Sequence, residues 1–177
     1  KLPKLDPEGE PLPEGLFYLM LMNELPTEAD VKELSKMWVE NCELPQHTKD
    51  VLDAIPTETH PMTQFSIGIM SLQKDSKVAA AYSEGVNKAE YWKYSMDDVM
   101  NLIAKLPSVA AYIYRRKYHN GDHIAADKTL DWSGNLAHMM GFEDDGLKRL
   151  MRIYMTIHTD HEGGNVSAHT TKLVGSA

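Results

Sequence analysis

The sequence predicts an all-α fold, and three observations carry that prediction. Apolar residues recur three and four positions apart along most of the chain, no segment shows sustained alternation of period two, and prolines and glycines fall between the periodic stretches as punctuation. A length of 177 residues with 42% hydrophobic composition fits one domain and is ample for a packed core. No internal repeat and no low-complexity tract interrupts it.

Taken in order, residues 1–15 carry Pro3, Pro7, Pro11 and Pro13 with Gly9 and Gly15. That density of breakers predicts a surface connector, with helical structure from about Leu16 onward. Thr27 is placed to cap a helix whose apolar side is Val31, Leu34, Trp38 and Cys42, ended by Leu44 and Pro45. A short helix follows Gln46, with Val51, Leu52 and Ile55 on one side. Pro61 suits a first helical turn, where its missing N–H costs nothing, so a helix is expected over 60–74 with Met62, Phe65, Ile69 and Leu72 buried. Ser95 and Asp98 have the spacing of a capping box, ahead of Val99, Leu102, Ile103 and Leu106. Pro107 should break or kink that run before Val109, Ala110, Ile113 and Tyr114 resume it, and Asn120 with Gly121 should stop it.

Charge and composition exclude some classes of function. With 26 acidic against 18 basic residues the formal net charge is -8, the opposite of a nucleic-acid footprint. The one basic cluster, Arg115, Arg116 and Lys117, falls where it would complement a helix C-terminus. A single cysteine, Cys42, cannot form an internal disulfide and sits on an apolar stripe, which points to core packing. No apolar run is long enough to cross a bilayer, so no membrane partner is expected. Lys1 in place of Met, and a helical pattern still running at Ala177, suggest a chain cut at both ends.

The segment richest in chemistry is 147–177. Leu147, Leu150, Met151 and Tyr154 define an apolar face which, continued, meets His158 and then His161, so two histidines are expected to inherit a buried face. Burying an imidazole without partners costs about 1–3 kcal/mol, which demands hydrogen bonds, a metal or a ligand. Gly163 and Gly164 then free the backbone for a sharp corner. A further helix starts with Asn165 or Ser167 as its cap and carries Val166, His169 and Leu173. Its first turn would aim unpaired N–H groups back at His161, an arrangement suited to a carboxylate or phosphate. The same helix is rich in small residues, which permits close packing against a neighbour or a second subunit. A zinc site built from His158, His161 and His169 fits poorly, because a zincin keeps its two histidines on one unbroken helix; no metal is expected.

The string from Ile157 to His169, IHTDHEGGNVSAH, resembles the signature of the citrate synthases. LPEGLF from Leu12, HPMTQ from His60, LIAKLPSVAA from Leu102 and LDWS from Leu130 resemble the same family in the same order, in the wording of its eukaryotic mitochondrial members. The resemblance implies a multihelical large domain, incomplete over 16–177 and without the family's small domain. It implies a mitochondrial-matrix homodimer that condenses acetyl-CoA with oxaloacetate to give citrate and free CoA, with no tightly bound cofactor. His161 would hydrogen-bond oxaloacetate and citrate, and His158 would support it. Asn165 and His169 would line the pocket, and Lys88 falls close to a basic position that contacts CoA across the dimer.

The family's G-P-L-H-G and G-Y-G-H histidines, its catalytic aspartate and the citrate-clamping arginines have no counterpart in these 177 residues. The chain by itself is therefore expected to be inactive. Gly134 and Lys172 stand where relatives often carry histidine. Two other readings keep the fold: a methylcitrate synthase that takes propionyl-CoA, and a scaffold or filament protein in which catalysis is secondary.

Overall fold

The structure is a computed structural model that describes residues 2–4, 9–159 and 165–175. Among these residues nine α-helices account for the fold, and the only β-type pairing is an isolated bridge between Lys4 and Pro11. They are α1 (Pro13–Met22), α2 (Glu28–Glu40), α3 (Gln46–Ala54), α4 (Pro61–Ser71), α5 (Lys77–Ser83), α6 (Tyr91–Tyr118), α7 (Trp132–Met140), α8 (Asp145–Ile157) and α9 (Val166–Gly175). No helix is long and apolar enough to cross a membrane among the described residues.

The first helix starts at Pro13, which takes the tolerated N1 position, and residues 10–15 other than the half-buried Pro11 are buried. Thr27 caps α2 as its sequence context predicts: the Asp30 amide donates to Thr27 Oγ1 at 3.2 Å, and the Thr27 amide donates to Asp30 Oδ2 at 2.8 Å. The Ser95–Asp98 pair, in contrast, caps nothing at its own position, because α6 already begins at Tyr91. Asp98 instead accepts from the Lys77 and Val78 amides and the Ser76 hydroxyl, holding the start of α5 onto α6.

The 28-residue α6 is the axle, packed by α2, α4, α5 and α7. It runs through Pro107 as one helix. A proline cannot donate to the carbonyl four residues back, and that carbonyl, on Ile103, instead accepts the Trp132 indole N–H from α7 at 3.0 Å. Around this point Trp38 and Trp132 pack with ring centroids 5.5 Å apart, with Leu34 and Ala104 beside them. A second apolar cluster joins Leu44, Leu52, Val109 and Ile113. Here α4 lies so close to α6 that a Cβ on Gly68 would stand 2.9 Å from Val109 Cγ1. The inner face of α4 is consequently Gln64 and Gly68; Met62 is exposed, and Phe65, Ile69 and Leu72 are half-buried, so the stripe expected to be buried is rotated toward the surface.

The basic end of α6 does more than complement a dipole. Arg115 donates to the Asp122 carbonyl and carboxylate, and Arg116 donates to Gln64 Oε1 and the Ile55 carbonyl. These bonds fix the turn after α6 and the α3–α4 connection.

Candidate functional site

The helices that bear the expected site residues are held by a buried ionic cluster. Asp131 caps α7 by accepting from the Gly134 amide at 3.0 Å. Its other oxygen receives Arg152 of α8 twice, from Nε at 2.9 Å and from a terminal nitrogen at 2.7 Å. A Cβ on Gly134 would stand 2.9 Å from Asp131 Oδ2, so glycine at this position leaves the pair room. Against it lies Glu14 of α1, wholly buried, whose Oε1 accepts the Trp132 amide at 3.4 Å while Oε2 has no hydrogen-bond partner among the described residues. Burial, with the Asp131 charge adding to it, pushes the Glu14 carboxyl up to about 7. Arg149 to Glu10 and the Thr156 hydroxyl to the Pro11 carbonyl tie α8 to the chain before α1.

This anchoring decides which way α8 faces, and it overturns one expectation. Lys148 and Arg152 are buried, whereas Leu150, Ile153, Tyr154 and Ile157 form an exposed apolar stripe, Ile157 at 65%. The histidine that continues that stripe, His158, is therefore exposed and does not inherit a buried face. An aspartate, an arginine and two tight hydrogen bonds outweigh the apolar pattern, because separating a buried ion pair leaves an uncompensated charge in a dry interior.

His158 sits at the C-cap of α8, with its ring 4.2 Å from that of Tyr154. Its Nδ1 is 2.7 Å from the Tyr154 carbonyl. A carbonyl can only accept, so Nδ1 carries a proton. His161, Gly163 and Gly164 lie outside the described residues. Beyond them Asn165 is the cap of α9: the Ala168 amide donates to its Oδ1 at 2.9 Å, and the His169 amide donates to its carbonyl at 3.0 Å. One of the amides expected to greet an anion is thus already bonded to the chain itself. Asn165 and His169 are exposed, one turn apart at the start of α9. Lys88 is also exposed, on a 3-10 turn (Lys88–Glu90) that packs on α6, whereas α8 packs on α7 and α1. The described residues therefore bring Asn165 and His169 together at one helix end, with Lys88 on a different element.

Glu14, Asp131 and Arg152, which set the orientation of α8, were not singled out from sequence. Asp131 ahead of the small residues Ser133 and Gly134 carries a cap signal for α7, but nothing in the spacing pairs it with Arg152.

These features define an all-helical domain with His158 at the end of α8 and His169 in the first turn of α9. The family model for the citrate synthase C-terminal domain matches residues 8–177. Over 99% of the chain, 50% of residues are identical to citrate synthase 4, mitochondrial, of Arabidopsis thaliana and 54% to a probable mitochondrial citrate synthase of Glossina morsitans morsitans. The solved citrate synthase of Pyrobaculum aerophilum superposes with a TM-score of 0.75 at 25% identity, over 86% of this chain and 39% of that one. The citrate synthase from Thermotoga maritima, 18% identical with a TM-score of 0.65, shares the fold. The chain belongs to the citrate synthase family, of the mitochondrial type. It spans 37% and 38% of the lengths of the two curated relatives.

Proposed function

We propose that this chain supplies part of an enzyme that condenses acetyl-CoA with oxaloacetate, releasing citrate and CoA, in the mitochondrial matrix. The match to the citrate synthase model over 8–177, which includes the HEGGN string at His161, carries the proposal. In this reading His161 hydrogen-bonds oxaloacetate, His158 supports it, and Asn165 and His169 line the pocket. Lys88 serves the CoA of a second copy. The exposed apolar residues of α8, together with Val166, Leu173 and Val174 of α9, support a homodimer. Because the later catalytic motifs of the family are not in these 177 residues, the chain alone turns nothing over.

A chimaera tests this: the chain replaces its counterpart in the Glossina protein, and free thiol is followed with acetyl-CoA. Release should require oxaloacetate, should exceed that with propionyl-CoA, and should need at least ten times more oxaloacetate in the His161→Ala variant. Oxaloacetate-independent release, or an unchanged oxaloacetate requirement in that variant, refutes the assignment; the 177-residue chain alone should release none.

A further inference from the structure

Away from α8 and α9, two adjoining cavities share Val39, Glu40 and Lys128 as a common wall. The smaller, 310 Å³, opens between α2 and residues 128–131, with Leu12 and Leu130 in its lining and Lys32, Lys36 and Lys128 around it. The larger, 570 Å³, opens between the end of α2, α6 and the turn before α7. Its wall includes Leu44, Ile124 and Met139, and the Tyr112 ring with His123 stacked on it at 3.8 Å and 9° between planes.

Electrostatics set this double cleft apart from the rest of a chain with a formal charge of -8. Five cationic side chains line it against three carboxylates. Each carboxylate is already matched: Asp131 by Arg152, Glu43 by Lys49 at 3.7 Å, and Glu40 by Lys36 at 3.8 Å. Lys32 and Lys128 have no hydrogen-bond or ion-pair partner among the described residues. They approach from different elements, α2 and the loop before α7, so an anion between them would bridge two parts of the fold. Ammonium groups act as point charges on multiply charged oxyanions. A cavity of several hundred cubic ångströms with an apolar wall and a few placed polar groups has the dimensions of a small-molecule site.

We propose that this double cleft binds a small organic phosphate monoester, with the phosphate among Lys32, Lys36 and Lys128 and the hydrocarbon or ring portion in the larger cavity against Ile124, Met139 and the outer face of His123. A polyanion is disfavoured, because the surrounding acidic chain repels an extended run of phosphates. The lining contains no residue of α8 or α9, and its test does not depend on the condensation reaction.

The probes are 1-naphthyl phosphate, inorganic phosphate and 1-naphthol, titrated into the 177-residue chain and followed by backbone amide shifts. Naphthyl phosphate should bind saturably, shifting residues of both cavities, at least tenfold more tightly than either half-molecule. Raising the salt concentration should weaken it. The Lys32→Ala/Lys128→Ala variant should lose at least tenfold in affinity with an unchanged melting temperature, while Lys74→Ala, an exposed lysine elsewhere, should lose none. No saturable binding, equal affinity for inorganic phosphate, or an equal loss in the Lys74 variant overturns the proposal.

Discussion

The seam between α4 and α6 and the seam between α7 and α8 solve one problem with opposite chemistry. At the first, a glycine lets two helices approach until Val109 and Leu52 fill the gap, and the seam is held by close apolar contact. At the second, a carboxylate and a guanidinium meet in the interior, and Leu150, Ile153, Tyr154 and Ile157 of α8 face outward. Apolar spacing reports where a helix wants cover. It does not report whether that cover comes from the neighbour to which the helix is bolted.

Breaking the ionic seam should have the largest effect. Arg152→Met leaves Asp131 buried without its partner and should cost about 3–5 kcal/mol of unfolding free energy, read from urea denaturation. Pairing it with Asp131→Leu should recover most of that loss, since replacing a whole buried ion pair by apolar groups is close to neutral. If the double variant is as unstable as the single, the seam depends on the Asp131 cap rather than on the pair.

The next effect concerns the proton on Glu14. Its carboxyl lies at about 7 when folded, against 4.5 when exposed. A raised carboxyl contributes no penalty below the unfolded value, and stability falls as pH rises from 4.5 to about 7, then levels. At 1.36 kcal/mol per unit the difference is on the order of 3 kcal/mol. Comparing urea midpoints of the parent chain and Glu14→Gln between pH 4.5 and 8 isolates this contribution. The variant should gain on the parent as pH rises, and parallel curves would place the ionised carboxylate comfortably in the interior.

The smallest effect on folding is expected on the outer stripe. Ile153→Asp should change stability by less than about 0.5 kcal/mol, because the side chain is 44% exposed. Its consequence should be in mass: by sedimentation the parent chain should run as the proposed dimer and the variant as a monomer. A large loss of stability instead would mean that the stripe is covered within one copy.

Much of the fold was legible from residues alone. The all-helical class and the Thr27 cap follow from short-range rules in which one side chain bonds a backbone group three residues on, and the same rules narrow the α9 cap to Asn165 or Ser167. Two kinds of feature were not legible. Helices α5 and α7 are short and weakly periodic, the latter starting with Trp132, Ser133 and Gly134, so neither announces itself. Capping at a distance was also hidden, since Asp98 serves the start of α5 from within α6 and a local motif looks the same whether it is used locally or not. Of the candidate site, identities came from the HEGGN string, while the exposure of His158 depended on Arg152 and Asp131, 21 residues apart in sequence.

Pro107 gives the chain an alignment mark. A helix of ordinary residues offers a partner no unclaimed carbonyl along its middle, so a neighbour held only by oily contact can slide by a turn at little cost. By vacating one acceptor, the proline creates a single notch on an otherwise uniform rod, and the indole of Trp132 is the tooth that fits it. Sliding α7 past α6 in either direction would strand both a donor and an acceptor away from water, so the register of α7 on α6 traces back to one missing hydrogen.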